Sequence, residues 1–243
     1  MADALFGEPR LAAIYDAVEG ERRVDLDHYL AIADEFGARS LLDVGCGTGI
    51  LARRAASRGM NVTGVDPAGA SLDVGRGKPG AERVRWLHGD ATGLPELQVD
   101  LATMTANVAH VFLTDEAWAA TLRGVYAALR PGGRLVFEVR DPARRAWERW
   151  TRANTYQSLD VPGTGRFETW WDLTGVNGPL VSYRRTYVFA DGTTVTSDST
   201  RRFWTRAEIE SSLRAAGYAL DEVRDAPDRP GREWVFIARK PGR

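Results

Sequence analysis

The 243-residue chain has one cysteine, Cys46, and only three histidines. A single cysteine excludes an internal disulfide and any cysteine-rich zinc site, so we expect no metal centre and a reducing, cytoplasmic location. No apolar run approaches the roughly 20 residues of a membrane-spanning helix, and the first residues lack the pattern of a secretory signal. Lysine plus arginine nearly balance aspartate plus glutamate, with a formal net charge of −1. This balance gives no support to a nucleic-acid or membrane partner.

Between residues 40 and 140, apolar runs alternate regularly with helix-forming or polar segments. The predicted strands cover residues 40–44, 61–65, 83–88, 100–105 and 134–139. Repeated β-α units of this length predict a parallel sheet covered by helices on both faces. The first 38 residues have the apolar spacing of helices.

The alternation stops after residue 142. A tryptophan-rich helix is predicted over residues 143–151, and three strands follow it, over residues 167–173, 180–189 and 193–204. The dipeptide Asp191-Gly192 predicts a hairpin between the last two strands. Because this antiparallel unit has no helix of its own, we expect it to lie over one edge of the sheet. Thr205 and Glu208 form a predicted capping box for one more helix, and two final strands follow.

The first strand runs directly into a glycine-rich turn, Gly45-x-Gly47-x-Gly49. Glycines in such a turn let the backbone approach a ligand, and the start of the next helix offers free N–H groups. The third glycine stands one residue too early for the dinucleotide pattern, which would place it at residue 50. This spacing favours an adenosine ligand other than NAD.

Polar residues also follow the other strands, at the sheet edge where ligands bind. They are Asp66-Pro67, Gly89-Asp90-Ala91 and Asn107. With Leu-Leu-Asp-Val-Gly-Cys-Gly-Thr-Gly at residues 41–49 and Leu-Arg-Pro-Gly-Gly-Arg-Leu at residues 129–135, they make the chain resemble a class I S-adenosylmethionine-dependent methyltransferase of the small-molecule type. The resemblance covers residues 40–140 closely and residues 203–240 by pattern.

The resemblance implies an α/β fold with a Rossmann-like, seven-stranded, mostly parallel sheet, helices on both faces and an antiparallel last strand. A single domain of residues 1–243 would comprise an N-terminal helical lid (1–38), a cofactor-binding core (39–142 and 205–243) and a substrate-side antiparallel insertion (143–204). The implied reaction is in-line transfer of a methyl group from S-adenosylmethionine to nitrogen or oxygen of a small molecule, with S-adenosylhomocysteine as product. A monomer or homodimer is expected.

The family also implies a set of cofactor-binding residues, namely Asp43, Gly45, Cys46, Gly47, Gly49, Asp66, Pro67, Asp90, Ala91 and Asn107. Asp43 would lie near the amino-acid end of the cofactor, and Asp66 would accept hydrogen bonds from both ribose hydroxyls. Asp90 would accept from the adenine amine, and Asn107 would offer its backbone carbonyl to the ammonium group. Cys46 is expected to pack beside the cofactor and not to act as a nucleophile.

The catalytic candidates on the acceptor side are His110, Arg140 and Tyr15. His110 follows the fourth strand and is a candidate base or substrate-orienting donor, with a packing role as the alternative. Arg140 ends the fifth strand, where Glu138 is the alternative residue facing the cleft. Tyr15 and Arg23 lie where small-molecule enzymes of the family place lid residues.

The insertion is rich in aromatic residues, which would roof an acceptor pocket or form the core of the small sheet: Trp170, Trp171, Tyr183, Tyr187, Phe203 and Trp204. Alternate residues from 181 to 189 share one strand face, which we expect to be buried or pocket-lining. Arg184 and Arg202 are candidates for contact with an acidic substrate.

Three other functions stay open. A nucleic-acid methyltransferase is disfavoured because residues 105–108 are Thr-Ala-Asn-Val and not the Asn/Asp-Pro-Pro-Tyr/Phe of enzymes that methylate base amines. A non-catalytic cofactor-binding protein is disfavoured by the intact glycines, Asp66 and Asp90. An NAD(P) oxidoreductase is disfavoured by the glycine spacing.

Overall fold

The computed structural model describes residues 3–20 and 23–242. In chain order the strands are β1 (Ser40–Val44), β2 (Asn61–Asp66), β3 (Val84–His88), β4 (Val99–Met104), β5 (Leu129–Arg140), β6 (Gln157–Val161), β7 (Gly165–Asn177), β8 (Leu180–Phe189), β9 (Thr194–Arg202), β10 (Ala219–Asp225) and β11 (Glu233–Arg239). The α-helices are α1 (Ala4–Gly7), α2 (Pro9–Glu19), α3 (Asp25–Glu35), α4 (Ile50–Ser57), α5 (Gly69–Arg76), α6 (Asp115–Ala128), α7 (Arg152–Thr155) and α8 (Arg206–Ala215). Within the described ranges, no helix is long and apolar enough to cross a membrane.

The central sheet has seven strands in the order β10-β11-β5-β4-β1-β2-β3. Strands β1 to β5 pair in parallel, whereas β11 is antiparallel to both of its neighbours, β5 and β10. The predicted mostly parallel sheet with an antiparallel last strand is confirmed. Parallel pairing brings the carboxyl ends of β1, β2, β4 and β5 to one edge of the sheet, where the site is built.

Apolar side chains cover both faces of the central sheet, as a sheet covered by helices on both sides requires. On one face Leu42, Phe137 and Phe236 pack against α6 and α8. On the other face Leu41 and Val136 pack against α3 and α4. Because neighbouring residues of a strand point to opposite faces, the short continuous apolar runs seen in the sequence supply both layers.

The insertion forms a second, antiparallel sheet in the order β6-β7-β8-β9. The predicted hairpin is confirmed, since β8 pairs with β9 across a turn in which Gly192 has a φ of 82°. The capping box of Thr205 and Glu208 is also present at the start of α8. Strand β6 was not predicted, because it lies at the sheet edge, has no fully buried residue and shows no clear apolar alternation.

The predicted tryptophan-rich helix over residues 143–151 is wrong. That stretch instead forms two short 3-10 turns, Pro142–Arg144 and Ala146–Arg149. Between them Arg145 adopts a left-handed conformation, with φ 43° and ψ 49°, which interrupts a right-handed helix. Trp147 and Trp150 are buried against the small sheet, so tertiary contact rather than helical periodicity decides the local structure.

Helices α1 and α2 bridge the two sheets. The Leu5 N–H donates to the Ser197 hydroxyl of the small sheet over 2.9 Å, and the Ser71 hydroxyl of α5 donates to the Phe6 carbonyl over 2.9 Å. Apolar residues of both helices also pack on the buried face of β7 and β8. These helices therefore lie across the opening between the central sheet and the small sheet.

Gly124 generates a test of this architecture. It lies in α6, where a Cβ atom would stand 1.9 Å from the Ala91 carbonyl oxygen. We expect Gly124→Ala to lower the free energy of unfolding by about 1–3 kcal/mol, because overpacking against backbone outweighs the roughly 1 kcal/mol that alanine gains in a helix. Urea unfolding followed by circular dichroism measures this. Gly175→Ala is the control, because a Cβ there meets nothing within 4 Å; a stabilised Gly124→Ala would contradict the expectation.

Candidate active site

The glycine turn after β1 requires its glycines for two reasons. Gly45 and Gly49 have φ of 71° and 73°, in the left-handed region that favours glycine. A Cβ on Gly45 would also lie 2.6 Å from the Val108 side chain, and a Cβ on Gly49 would lie 2.1 Å from the Trp86 ring. Around Gly47, by contrast, a Cβ meets nothing within 4 Å, so this part of the turn opens into free space.

Asp66, at the end of β2, ties that strand to the glycine turn. Its Oδ2 accepts from the Gly47 N–H over 2.8 Å and its Oδ1 from the Ala68 N–H over 2.8 Å. Burial raises the pKa of Asp66 above its ordinary value. Each carboxylate oxygen keeps a second lone pair, so the side chain can accept two further hydrogen bonds from a ligand.

Asp43 lies shortly before the same turn, and Cys46 lies within it. Asp43 is buried, accepts from the Thr103 hydroxyl over 3.0 Å, and has its pKa raised to about 7 by burial. Cys46 is buried as well, and burial raises the pKa of its thiol well above the ordinary value. The thiol is therefore protonated, which matches a packing role and not that of a nucleophile.

The loops after β3 and β4 complete this cleft. Asp90 accepts from the backbone N–H and the hydroxyl of Thr92, and Ala91 beside it is buried. Ala106 and Asn107 both have positive φ, 58° and 61°, which is uncommon for residues other than glycine. Such strained backbone persists only where the surroundings hold it.

The structure brings nine of the ten predicted cofactor residues to the wall of one cleft of about 870 Å³. They are Asp43, Gly45, Cys46, Gly47, Asp66, Pro67, Asp90, Ala91 and Asn107. Gly49 is the exception, because it packs against Trp86 behind the turn. We call this space the cofactor cleft.

A second space of about 440 Å³, here called the acceptor cavity, adjoins the cofactor cleft. The two share a wall that includes Tyr15, Arg23, Ala106 and Asn107. All three predicted catalytic residues, His110, Arg140 and Tyr15, lie at the acceptor cavity. The strained loop after β4 therefore separates two adjoining spaces.

His110 is buried with both ring nitrogens used by backbone groups. Its Nδ1–H donates to the Arg202 carbonyl over 2.6 Å, and its Nε2 accepts from the Arg140 N–H over 3.0 Å. Burial lowers the pKa of His110 to about 3, so the ring is neutral. In this arrangement neither nitrogen is available to take a proton from a substrate, and the ring instead ties β5 to β9.

Glu138 and Arg140 both line the acceptor cavity, and of the two it is Glu138 that has a buried oxygen without a hydrogen-bond partner among the described residues. The Arg140 guanidinium pairs with Glu233 over 3.0 Å. Glu138 accepts from the Asn107 N–H at Oε1 over 2.6 Å, while its Oε2 is buried and without a hydrogen-bond partner among the described residues. Burial raises the pKa of Glu138 to about 8. Buried orphan oxygens are rare and call for an explanation.

Tyr15 and Arg23 come from the N-terminal helices. Tyr15 is half-buried beside both spaces, and burial raises the pKa of its hydroxyl. The Arg23 guanidinium is held by Asp25 through contacts of 2.5 to 3.1 Å. On the other side of α2, Asp16 accepts from the Thr48 hydroxyl over 2.5 Å and pairs with Lys78. These contacts hold α2 over the glycine turn.

Three of the six candidate aromatic residues line the acceptor cavity, namely Trp171, Tyr183 and Phe203. Tyr187 packs instead under α1 and α2, and Trp204 packs in the core of the central sheet. Trp170 lies on the opposite face of β7 and donates to Asp172. Both interpretations of the aromatic residues therefore hold, each for a part of the set.

Two charged residues of the acceptor cavity, Arg229 and Glu233, were not predicted from the sequence. Arg229, in the loop before β11, and Glu233, the first residue of β11, form an ion pair of 2.7 Å there. The register of β11 sets Glu233 opposite Arg140. This places Glu233, and with it the paired Arg229, at the acceptor cavity. Arg184 and Arg202 do not line the acceptor cavity, whereas Arg185, the residue next to Arg184 in β8, does.

The raised pKa of Glu138 generates a stability test. In an unfolded chain the Glu138 carboxyl group loses its proton near pH 4.3, whereas in the folded protein it keeps the proton up to about pH 8. The contribution of Glu138 to stability is therefore present below pH 4.3 and is lost as the pH rises through 8. We expect Glu138→Gln to gain stability relative to wild type by more than about 1 kcal/mol between pH 5 and pH 8. Urea unfolding at both pH values measures this. The exposed Glu82→Gln is the control, and a pH-independent effect of Glu138→Gln would contradict the expectation.

Comparison with known proteins agrees with this geometry. A family model described as "Methyltransferase domain" matches residues 41–133. The cypemycin N-terminal methyltransferase of Streptomyces sp is 30% identical over 188 residues, which span 76% of this chain and 74% of that protein. The CcbJ methyltransferase of Streptomyces caelestis superposes with a TM-score of 0.77 at 22% identity, over 98% of both chains. The sugar N-methyltransferase KedS8 of Streptoalloteichus sp ATCC 53650 gives a TM-score of 0.75 at 18% identity, over 93% of this chain and 92% of that one.

The chain thus matches a methyltransferase over most of its length. It also has the glycine turn, the acidic residues at the ends of β1 and β2, and the strand order described above. The two structural neighbours share the fold. The cofactor of this family is S-adenosylmethionine. The protein belongs to the class I S-adenosylmethionine-dependent methyltransferases.

Proposed function

We propose that the protein transfers the methyl group of S-adenosylmethionine to an amine nitrogen of a small molecule bound in the acceptor cavity. The observation that carries this proposal is a pair of buried oxygens without partners among the described residues, Oε2 of Glu138 and Oδ1 of Asn107. Both atoms are hydrogen-bond acceptors when Glu138 is ionised, so the group that completes them is a donor. An amine is such a donor and is also a nucleophile towards a sulfonium methyl group.

The size of the acceptor cavity supports a small acceptor. Its volume of about 440 Å³ is at the lower end of the range for small-molecule sites, roughly 300–1,000 Å³. Its wall combines aromatic rings with paired charges, and not the unpaired basic residues that phosphate backbones require. A nucleic-acid acceptor gains no support from this composition.

The cypemycin N-terminal methyltransferase, a relative that matches most of the chain, supports nitrogen as the acceptor atom. The cypemycin enzyme, at 30% identity, is named as an N-terminal methyltransferase, which places its acceptor on an amine. The likeness to KedS8 is below 25% identity and supports the fold alone. The unpartnered oxygen of Glu138 is compatible with an amine donor, and the name of this relative favours nitrogen.

The cofactor cleft suits S-adenosylmethionine at several points. When bound, this cofactor supplies a methyl group on a positively charged sulfur. Asp66 has free lone pairs for the two ribose hydroxyls, and the space beside Gly47 is open. We assign the ammonium group of the cofactor to Asp43 and the Asn107 carbonyl, and the adenine to Asp90 and Ala91. The role of Gly49 is to let the turn pack against Trp86.

On the acceptor side, Glu138 holds the reacting amine. Its ionised Oε2 accepts a hydrogen bond from the amine N–H and takes the proton that methylation of the nitrogen releases. Oε1 stays bound to the Asn107 N–H, which fixes the carboxylate in place. His110 acts by joining β5 to β9 around the cavity and not as a base. Tyr15 and α2 cover the reacting groups and exclude water.

Asp66 provides the test of the cofactor cleft. We expect Asp66→Ala to weaken the binding of S-adenosylhomocysteine by roughly 1–3 kcal/mol, because the charge-assisted hydrogen bonds to the ribose are lost. Isothermal titration calorimetry measures the affinity. Asp73→Asn, on the exposed side of the adjacent helix α5, serves as the control. Binding of NADH without any response to S-adenosylhomocysteine would overturn the assignment.

Glu138 provides the test of the acceptor. A methyl-transfer screen of amines and matched alcohols comes first. Methylation of alcohols alone would contradict the proposal of an amine acceptor. With an amine that reacts, we expect the rate of wild type to fall below about pH 8, as Oε2 becomes protonated. We expect Glu138→Gln to lower kcat/KM by roughly 100-fold or more and to lose this limb of the pH profile.

His110→Asn is the comparison variant for the same profile. We expect it to keep the limb near pH 8, because the native ring has no free nitrogen for a proton. If the limb disappears in His110→Asn and persists in Glu138→Gln, the two residues have the opposite roles.

A further inference from the structure

Arg185 is a buried charge in an apolar setting that neither fold stability nor the reaction explains. It lies at the centre of the inner face of β8, between Val181 and Tyr183 on one side and Tyr187 and Phe189 on the other. Only 3% of Arg185 is exposed. Within β8 it is the one charged residue on this face, and burying a charge among apolar side chains is costly unless it is well paired.

The pairing of Arg185 is weak for so buried a group. Its Nη1 donates to Oε1 of Glu19 over 2.6 Å, but the Glu19 side chain is one-third exposed. Its Nε reaches the Thr169 hydroxyl over 3.4 Å. Nη2 of Arg185 has no hydrogen-bond partner among the residues that the structure describes, and Arg185 lines the acceptor cavity.

The other arginines at this cavity are paired in the protein itself. Arg140 and Arg229 both contact Glu233, Arg23 is held by Asp25, and Arg201 contacts Asp3. Arg185 differs because its partner comes from the solvent-facing end of helix α2. A ligand can therefore take the place of Glu19 without breaking a fully buried pair.

Aromatic rings orient the Arg185 guanidinium. Its Cζ lies 5.2 Å from the ring centre of Trp171 and 5.3 Å from that of Tyr187. Trp171 is stacked on Tyr183 with an interplanar angle of 9°. These rings restrict the guanidinium and offer an apolar surface beside it, so an anion bound by Arg185 would sit next to an aromatic wall.

Arg185 and Glu138 belong to one continuous wall. Both residues line the acceptor cavity, as do Tyr15 and Arg23. A small molecule in this cavity meets a cation at one place and a carboxylate at another.

We propose that the methyl acceptor carries a carboxylate besides its amine, and that Arg185 binds this carboxylate. The planar guanidinium matches a carboxylate through two parallel N–H donors, and Glu19 occupies part of that place when no acceptor is bound. The assignment of the amine end rests on the proposed function. The carboxylate site does not, because Arg185 can bind a carboxylic acid that has no amine.

The test is calorimetry on the protein saturated with S-adenosylhomocysteine, using phenylacetate, 3-phenylpropionate and hexanoate with their uncharged amides. We expect at least one carboxylate to bind about tenfold or more tightly than its amide. Arg185→Gln removes this preference, and Arg185→Lys restores part of it. The control is Arg206→Gln, an exposed arginine of helix α8, which pairs with Glu210, lines neither space and keeps the preference.

Glu19→Gln supplies a readout that a merely structural role of Arg185 would not move. We expect this variant to bind the carboxylate probes several-fold more tightly than wild type, because the competing carboxylate of the protein is gone. Equal binding of acids and amides to wild type, or a preference that survives in Arg185→Gln, overturns the proposal.

A methyl-transfer assay separates this proposal from the proposed function. The amine pairs are phenylalanine with phenethylamine, 4-(aminomethyl)benzoic acid with benzylamine, and 6-aminohexanoic acid with hexylamine. A lower KM for an acid-bearing member, lost in Arg185→Gln, supports both proposals. Equal KM values for the two members of each pair overturn the carboxylate site and leave amine methylation intact. Arg185-dependent binding of acids together with methylation of alcohols alone overturns amine methylation and leaves the carboxylate site intact.

Discussion

The parallel pairing of β1 with β2 on one side and with β4 on the other is the constraint on which both spaces of the site depend. It brings Asp43, Asp66 and the loop at Asn107 to the same edge of the sheet, although the chain between them passes through several helices. Ligands of open α/β sheets bind outside the carboxyl ends of strands for this reason. The apolar layers on both faces hold the strands in register and leave only the edge open.

The loop after β4 is the partition between the cofactor cleft and the acceptor cavity. Its two residues with positive φ, Ala106 and Asn107, each cost of order 1–3 kcal/mol in backbone strain. The hydrogen bond from the Asn107 N–H to Glu138 offsets part of this cost and links the partition to β5. Glu138 thus contacts the wall of the cofactor cleft through Oε1 and is itself a lining residue of the acceptor cavity.

The acceptor cavity is built from charges that a stable fold does not need. Replacing a buried ion pair by apolar residues is often neutral or stabilising, so clusters such as Glu233 with Arg140 and Arg229 are poor evidence of selection for stability alone. Arg185 is the clearest example of a buried charge that the fold does not need, since the rest of its strand face is apolar or aromatic. The mixture of cation, carboxyl and aromatic wall defines what the cavity can bind more narrowly than its volume does.

Much of the fold followed from local sequence patterns. The apolar runs and the dipeptide Asp191-Gly192 are short-range features that led to the sheet and the antiparallel hairpin. The glycine spacing and the acidic residues at the ends of β1 and β2 led to the cofactor through the family resemblance. Where tertiary contact overrides local preference, prediction failed, as in the stretch around Arg145 and at the edge strand β6.

The two halves of the site differ in how far the sequence determined them. The cofactor cleft is lined by residues at or just after the ends of their strands, and the family resemblance that these residues carry named nine of its wall residues and the methyl donor. On the acceptor side the sequence favoured Arg140 with Glu138 as the alternative, and it named Arg184 for an acidic substrate while placing Arg185 on the strand face expected to be buried or pocket-lining. Only the tertiary structure decided between such neighbours, because the choice depends on strand register, on the antiparallel placement of β11 and on helices that pack from the other end of the chain. A one-residue shift along a strand turns a side chain to the opposite face.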